Sequence, residues 1–321
     1  MNPLEINILG MGSLLIDKVI PISEEFMQTI PGKKGGMELI SSNDLQSILK
    51  NAPQIVEISP GGSSCNTLRA LARLGRNCVF FGKIGKDSDG KQLLEALFAI
   101  GMTPQCPQGS LPTGQALCLV TPDKERTLRT YLGASSELTV NDIEPDLFRG
   151  ISHLHLEGYL LLHPEIPEKA MELAKKNGCT ISLDLASFEI VNTFKKRLVG
   201  LISKYVDVLF ANQHECAVLT GMNPEKGCAF LKDICRIAVV TQGKKGCVVG
   251  HHDQVITVNA RSVNVLDTTG AGDLFSAGFL HGFLQGKPLE ECARWGCMLG
   301  AEIVQVYGAD LPGLNAKYFD V

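Results

Sequence analysis

The chain has 321 residues, with 30 Lys and Arg against 34 Asp and Glu, which gives a formal net charge of −4. This near balance excludes a generally basic nucleic-acid binder and a polybasic protein of the membrane surface. Apolar residues make up 45% and charged residues 20%, which is typical of a globular protein rather than a disordered one. The 33 glycines and the 6% of aromatic residues favour an α/β enzyme with tight strand-to-helix turns.

No targeting or membrane segment is visible in the sequence. No apolar run approaches the ~18 residues that a spanning helix needs, and the first residues have neither a basic nor an apolar signal region. The eleven cysteines are scattered without a C-x-x-C pair. We therefore expect a protein of the reducing cytoplasm, with no nucleic-acid or membrane partner.

Strands and helices alternate along most of the chain. Strands are predicted, in chain order, at 5–10, 78–82, 151–156, 179–183, 206–210, 237–241, 246–250 and 255–258. Helices are predicted at 62–74, 93–100, 164–177, 188–203, from about 213, at 273–285 and at 289–306. Because parallel strands need helical crossovers, this alternation predicts βαβ units around a mostly parallel sheet.

One region departs from this alternation. Two strand-like runs at 116–120 and 126–132 flank a turn and predict a β-hairpin. Together with an irregular segment at 17–40, the hairpin suggests a small β appendage over one edge of the sheet. No linker separates two independent units, so we predict a single domain over 1–321, with a β lid formed by about 14–42 and 110–135.

The strongest motif is Asp-Thr-Thr-Gly-Ala-Gly-Asp at 267–273, which runs into an apolar helix. Gly270, Ala271 and Gly272 carry almost no side chain, so backbone N–H groups can approach an anion closely. Free N–H groups at a helix N-terminus favour phosphate. Asp273, in the first helical turn, can take a proton from a hydroxyl beside that anion. Taken alone, an Asp in a first helical turn is typical of ordinary helix capping, and Gly-Ala-Gly is a common turn.

A glycine pair opens the helix predicted at 62–74. Gly61 and Gly62 let the backbone reach a ligand, and Asn66 offers both a donor and an acceptor to a polyhydroxylated group. Asp17 follows an early glycine-containing stretch, and a carboxylate can accept from two vicinal hydroxyls at once. The structural alternatives are a glycine-started helix with an Asn in its first turn and a solvated loop Asp.

Several common nucleotide and metal motifs are missing from the sequence. There is no G-x-x-x-x-G-K-S/T motif, which excludes a P-loop enzyme. The glycines at 10–12 lack the third glycine of a dinucleotide-binding fingerprint. His153 and His155 alternate in a strand, which favours a structural role for this pair over zinc binding.

The motifs at 61–66 and 267–273 resemble the two signatures of the PfkB, or ribokinase-like, sugar and nucleoside kinases. Between them, Asn212-x-x-Glu215 resembles the Asn-x-x-Glu motif of that family, and 239–246 resembles its nucleotide-side strand and turn. The resemblance covers nearly the whole chain. Further segments are similar to adenosine kinases and their bacterial relatives, at 10–17, 112–114, 126–128, 131–135, 157–159 and 206–212.

This resemblance implies a ribokinase-like three-layer α/β/α sandwich, with a mostly parallel central sheet and a β lid. It implies that ATP and Mg²⁺ are the cofactors. Asp273 would be the base that deprotonates the acceptor hydroxyl, and Gly270, Ala271 and Gly272 would form the anion hole. Arg126, on the lid, would reach the phosphates of a closed complex.

The resemblance also implies binding residues for the nucleotide and the ions. The nucleotide side would be lined by Asn212, Thr241, Gly243 and Gly246. Glu215 would help to organise Mg²⁺ through water. Asp267 and the backbone near Thr269 resemble a monovalent-cation loop, which implies K⁺ as a further cofactor.

For the acceptor, the implied hydroxyl-binding residues are Asp17, Gly61, Gly62 and Asn66. An aromatic face with branched aliphatic neighbours forms a flat apolar slot, so Tyr159, Leu39 and Leu160 are candidates to enclose a purine. Packing within the lid and the core is the alternative for Leu39 and Leu160.

We therefore expect an ATP-dependent kinase that phosphorylates a primary hydroxyl, with the 5′-hydroxyl of adenosine or a related purine nucleoside favoured. The alternatives are a sugar kinase acting on ribose, fructose or a sugar acid, and a non-catalytic descendant that binds a ligand. The expected partner is a small nucleoside or sugar acceptor, and the expected state is a monomer or a homodimer.

Overall fold

The structure, a computed structural model, describes residues 7–319, which form fourteen strands. In chain order, β1 to β14 are Asn7–Met11, Leu15–Pro21, Met37–Leu39, Glu57–Gly61, Asn77–Phe81, Thr103–Pro104, Thr113–Val120, Arg126–Gly133, His153–Glu157, Thr180–Asp184, Val208–Asn212, Ile237–Thr241, Cys247–His251 and Gln254–Val258. Nine of them form a central sheet in the order β14-β13-β12-β11-β10-β9-β1-β5-β6, and five form a smaller sheet in the order β3-β8-β7-β2-β4.

The central sheet is parallel from β6 to β12, and only β13 and β14 add antiparallel strands at one edge. In chain order, the helices α1 to α10 are Glu24–Gln28, Ser42–Asn51, Ser63–Arg73, Ser88–Ala99, Ile166–Lys176, Phe188–Tyr205, Gln213–Thr220, Pro224–Leu231, Ala271–Phe283 and Leu289–Ile303. The parallel sheet predicted from the alternation of strands and helices is confirmed.

Side chains of the central strands pack alternately on two helical layers. In β12, Ile237 and Val239 belong to the core under α3, α4, α9 and α10, whereas Ala238 and Val240 belong to the core under α5 to α8. Successive residues of a strand point to opposite faces, so a strand with helices on both sides is apolar throughout. This is the expected three-layer α/β/α sandwich.

The small sheet contains more strands than the sequence analysis assigned. The hairpin is confirmed as β7 and β8, but the segment predicted as irregular at 17–40 contains β3, α1 and most of β2. Strand β4 was not predicted, and it contains Pro60. Proline is tolerated at an edge, and β4 is an edge strand of the small sheet.

Helix α2 and strand β6 were also not predicted, and other elements differ from the prediction at their ends. The last two helices end at Phe283 and Ile303 rather than at 285 and 306. Residues 5 and 6 of the first predicted strand lie outside the described residues. Within 7–319, no helix is long and apolar enough to cross a membrane.

Candidate active site

A cavity opens where the central strands end beneath the small sheet. The last residues of four neighbouring parallel strands line it, namely Glu157 of β9, Asp184 of β10, Asn212 of β11 and Thr241 of β12. Because parallel strands direct their carboxyl ends to the same edge of a sheet, ligands of open α/β sheets bind there. Strands β2, β3, β7 and β8 of the small sheet cover the cavity from the other side.

Asp273 lies in the first turn of α9 and faces this cavity. Its Oδ1 accepts a hydrogen bond from Ser63 Oγ at 2.7 Å, and its Oδ2 accepts one from Asn66 Nδ2 at 2.9 Å. Burial raises the pKa of the Asp273 carboxyl, while these two hydrogen bonds and the charge of Arg126 oppose that rise. The side chain is therefore held in one orientation by two donors, facing the cavity.

The glycines before Asp273 differ in what surrounds them. Gly270 has a φ of +74°, and a Cβ built on it would lie 2.6 Å from the Cβ of Ala309. Gly272 has no positive φ, and a Cβ built on it would have no atom within 4 Å. Both glycines and Ala271 line the cavity. Gly270 therefore serves the turn, whereas Gly272 leaves open space at the start of the helix.

Asp267 supports the loop that carries these glycines. Its Oδ1 accepts hydrogen bonds from the Thr269 N–H at 2.9 Å and from Thr269 Oγ1 at 2.7 Å, and its Oδ2 accepts one from the Gly308 N–H at 2.9 Å. The side chain is fully buried and is not among the residues that line the cavity. The cation role predicted for Asp267 and Thr269 stays a prediction.

Asp17 and Gly61 lie on strands of the small sheet, whereas Gly62 and Asn66 lie at the start of α3. Asp17 is buried on β2, and burial together with the nearby charge of Asp273 raises its pKa to about 7. A Cβ on Gly61 would lie 1.9 Å from Asp17 Oδ1, so this glycine makes room for the carboxylate. Gly62 and Asn66 line the cavity itself, and Gly61 does not.

The Asn-x-x-Glu motif is a capping box at the start of α7. Asn212 Oδ1 accepts from the backbone N–H of Glu215 at 3.0 Å, and the Glu215 carboxylate accepts from the N–H and the Nδ2 of Asn212, each at 2.7 Å. Both side chains line the cavity. Burial and the charge of Asp184 raise the pKa of Glu215 to about 8, so a cation beside these two carboxyls would relieve their repulsion.

The other residues predicted on the nucleotide side fall into two groups. Thr241 lines the cavity, whereas Gly243 and Gly246 lie in the turn after β12 and are not among the lining residues. Gly246 has a φ of +95°, and a Cβ on it would lie 2.0 Å from the carbonyl oxygen of Val258. Its place in the motif is thus explained by the backbone of the turn.

The residues predicted on the lid and around a purine divide in a similar way. Arg126, Leu39 and Tyr159 line the cavity, and Arg126 is the one Lys or Arg side chain among the lining residues. Of the two interpretations of Leu160, the structure supports packing in the core. This side chain is 2% exposed and packs in the core under α5 to α8, because a short 3₁₀ turn directs Leu162 to the cavity instead.

Among the lining residues that were missed as site residues, Ser63, Asp184 and Glu157 carry polar groups at the ends of predicted elements. Ser63 follows the glycine pair and donates to Asp273, and a polar residue in the first turn of that helix was the available signal. Asp184 and Glu157 end buried strands, which is the position where α/β enzymes carry polar site residues. The predicted strand at 179–183 ended one residue before Asp184.

The paired histidines have partners within the core. His153 Nε2 and His155 Nδ1 each lie 2.8 Å from Ser182 Oγ, and both rings are fully buried. Burial lowers the pKa of both to about 3. They are therefore neutral side chains of the sheet and its packing.

Comparisons with known proteins agree with this architecture. The profile described as "pfkB family carbohydrate kinase" matches residues 39–316. The adenosine kinase of Sinorhizobium meliloti superposes with a TM-score of 0.91 at 30% identity, covering 98% of both chains. A probable sugar kinase of Rhizobium etli CFN 42 superposes with a TM-score of 0.92 at 30% identity, covering 98% of this chain and 97% of that one. The ribokinase of Haemophilus influenzae is 29% identical over 80% of this chain and 84% of its own length.

The fold and the site define a ribokinase-like kinase, an enzyme that transfers a phosphoryl group to a hydroxyl group. The chain belongs to the PfkB family of carbohydrate kinases. Kinases of this family use ATP, generally with Mg²⁺, and their acceptors are small molecules. The family resemblance drawn from the motifs is thereby confirmed.

Proposed function

We propose that this kinase transfers a phosphoryl group from ATP to the 5′-hydroxyl of adenosine or a related purine nucleoside. The observation that carries the proposal is the apolar wall of the cavity on the small-sheet side. That wall is built from Leu15, Met37, Leu39, Ala116, Cys118, Leu128 and Leu132, with Tyr159 and Leu162 opposite. A free sugar presents hydroxyls on all sides, whereas a purine has flat apolar faces that match such a wall.

The catalytic roles follow from the surroundings of Asp273. Its carboxylate, oriented by Ser63 and Asn66, takes the proton of the acceptor hydroxyl. The N–H groups at the start of α9, around Gly272, bind the charge that builds up on the transferred phosphoryl group. Arg126 adds positive charge from the lid. Phosphoryl transfer needs positioning and charge neutralisation more than covalent chemistry, which suits this set.

The nucleotide side is proposed to comprise Asn212, Thr241 and the turn containing Gly243 and Gly246. Mg²⁺ prefers oxygen ligands and keeps several of its waters. The carboxylates of Glu215 and Asp184 supply oxygens at the cavity, so these residues would hold the ion through water. When bound, the ion supplies positive charge to the phosphates.

A monovalent cation such as K⁺ at Asp267 and Thr269 is proposed from the resemblance of the motif, and both Asp267 oxygens accept hydrogen bonds within the loop and from Gly308. The cytoplasmic location and the monomeric or homodimeric state rest on the sequence.

A sugar kinase is the second candidate. It is favoured by the similarity to the probable sugar kinase of Rhizobium etli CFN 42, whose TM-score and identity match those of the adenosine kinase. Asp17 suits both acceptor classes, since a buried carboxylate can accept from the vicinal hydroxyls of ribose whether or not a base is attached. The two candidates therefore differ in the use of the apolar wall.

The test compares wild type, Tyr159→Ala and Asp17→Ala on adenosine, ribose and fructose in a coupled assay of ADP release. Stacking of a base on an aromatic side chain contributes about 1–3 kcal/mol. Tyr159→Ala is therefore expected to raise the adenosine KM by about 5- to 150-fold and to leave a sugar KM unchanged. Asp17→Ala should impair both acceptor classes.

The matched control is Tyr131→Ala, which removes a tyrosine of β8 that packs away from the cavity against the helices of the small-sheet region. It should leave the adenosine KM unchanged. A wild type that turns over a free sugar far better than any nucleoside, with Tyr159→Ala equally active on that sugar, would replace the nucleoside proposal by the sugar kinase.

A further inference from the structure

Two chain crossings between the central sheet and the small sheet meet at one point. The chain leaves β1 for β2 through Gly12 and Ser13, and it returns from β4 to α3 through Gly62 and Ser63. The two crossings touch, because a Cβ on Gly62 would lie 1.9 Å from the Ser13 carbonyl oxygen. The small sheet is thus anchored to the central sheet beside the cavity.

Glu157, the last residue of β9, is bonded to both crossings. Its Oε1 accepts from the Ser13 N–H and its Oε2 from the Ser64 N–H, each at 2.8 Å. Gly12 lies against the same carboxyl group, since a Cβ there would be 2.5 Å from Glu157 Oε2. Each of its oxygens thus accepts from one backbone donor, and the residue is 1% exposed.

Both bonded segments lead directly to the catalytic groups. Ser64 lies between Ser63 and Asn66 in the first turn of α3. Both of these neighbours donate hydrogen bonds to the Asp273 carboxylate. Four residues after Ser13, β2 carries Asp17 into the cavity. One carboxylate therefore fixes both the segment that orients the base and the strand that carries the acceptor-binding acid.

The chain crosses between the two sheets a second time, from β6 to β7 and from β8 to β9, and a different carboxylate joins these two crossings. Glu137 accepts from the backbone N–H groups of Ser110 and Leu111, at 2.8 and 2.9 Å, where the chain enters β7. Glu137 does not line the cavity. Glu157 and Glu137 thus each accept from two backbone amides of crossing segments, but Glu157 lines the cavity and Glu137 does not.

We propose that Glu157 is a positioning residue, which sets the distance between Asp17 and Asp273 by holding both crossings on the central sheet. Its contribution is made through the backbone of Ser13 and Ser64. The inference rests on the proposed roles of Asp17 and Asp273 but not on the identity of the acceptor.

The test uses Glu157→Gln, which keeps the size of the side chain but turns an amide NH₂ toward one of the two N–H donors. A buried donor is then left without an acceptor. We expect kcat/KM for the acceptor to fall about tenfold to a hundredfold, with the ATP KM unchanged. The acceptor is the one that wild type turns over fastest, so a failure of the nucleoside proposal does not decide this test.

Hydrogen exchange of the Ser13 and Ser64 amides separates positioning from direct contact with substrate. We expect at least one of these amides to exchange at least tenfold faster in Glu157→Gln. A fall in kcat/KM with both amides as protected as in wild type refutes the proposal, because Glu157 then acts by touching the acceptor. Faster exchange with unchanged kinetics also refutes it.

The control is Glu137→Gln, whose amide oxygen can serve both backbone donors while its NH₂ donates to Ser110 Oγ. This variant should keep wild-type kinetics. Glu157→Asp keeps the charge but shortens the reach, and it is measured in the same way in case Glu157→Gln does not fold. Failure of both Glu157 variants to fold, with Glu137→Gln folded, refutes the positioning role in favour of a purely structural one.

Discussion

The two glycines that flank Ala271 are expected to respond in opposite ways to the addition of one methyl group. Gly272→Ala places a methyl in the open space at the start of α9, where no protein atom lies within 4 Å. Alanine is favoured over glycine in a helix by up to about 1 kcal/mol. For a protein of this size, we expect the Tm to rise by up to about 3 °C.

The same methyl occupies the space in which the phosphoryl group would meet the backbone. A displacement of about 1 Å at a reacting centre can cost about a hundredfold in rate. Gly272→Ala is therefore expected to lose at least that factor in kcat/KM. The loss should come without unfolding, which is the signature of a site that the glycine keeps open.

Gly270→Ala should instead destabilise the fold. Its φ of +74° is costly for alanine by about 1–2 kcal/mol, and the new Cβ would approach the Cβ of Ala309 to 2.6 Å. We expect the Tm to fall by about 2–6 °C. Thermal unfolding and the ADP-release assay on both variants check this pair. A Gly272→Ala enzyme with wild-type kcat/KM would refute the proposed phosphate cradle, and one that unfolds early would refute the account of open space.

Three further predictions concern the carboxyl groups. Asp273→Asn should lower kcat by about 10²–10⁴-fold, the usual contribution of a general base, with an unchanged ATP KM; wild-type turnover would disprove the role of the base. Ser63→Ala removes a hydrogen bond that lowers the pKa of Asp273, so the acidic limb of kcat/KM against pH should move to higher pH, and a shift to lower pH would contradict this. Burial and Asp273 raise the pKa of Asp184 from 3.8 to about 7, so its protonated form stabilises the fold and this contribution is lost as pH rises toward 7. Asp184→Asn should therefore gain Tm over wild type at pH 8 and gain less at pH 5; an equal gain at both pH values would refute the reasoning.

The sequence by itself determined the features that depend on neighbours along the chain. The parallel sheet follows from short apolar runs that alternate with helical periodicity, and the start of α9 follows from the glycines at 270 and 272. The link between Asn212 and Glu215 is also local, since a capping box joins residues three apart. Such contacts are readable because the periods of helices and strands relate sequence spacing directly to spatial neighbours.

Only the tertiary structure decided which of these pieces meet. Ser63 and Asp273 are 210 positions apart and share a hydrogen bond, and Glu157 joins two crossings that lie 144 and 93 positions away from it. Packing on α5 and α6 also decides that Leu162, rather than Leu160, faces the cavity from its 3₁₀ turn. Apolar periodicity reports that a residue is buried, but the partner that buries it is chosen by long-range packing, which the local pattern does not encode.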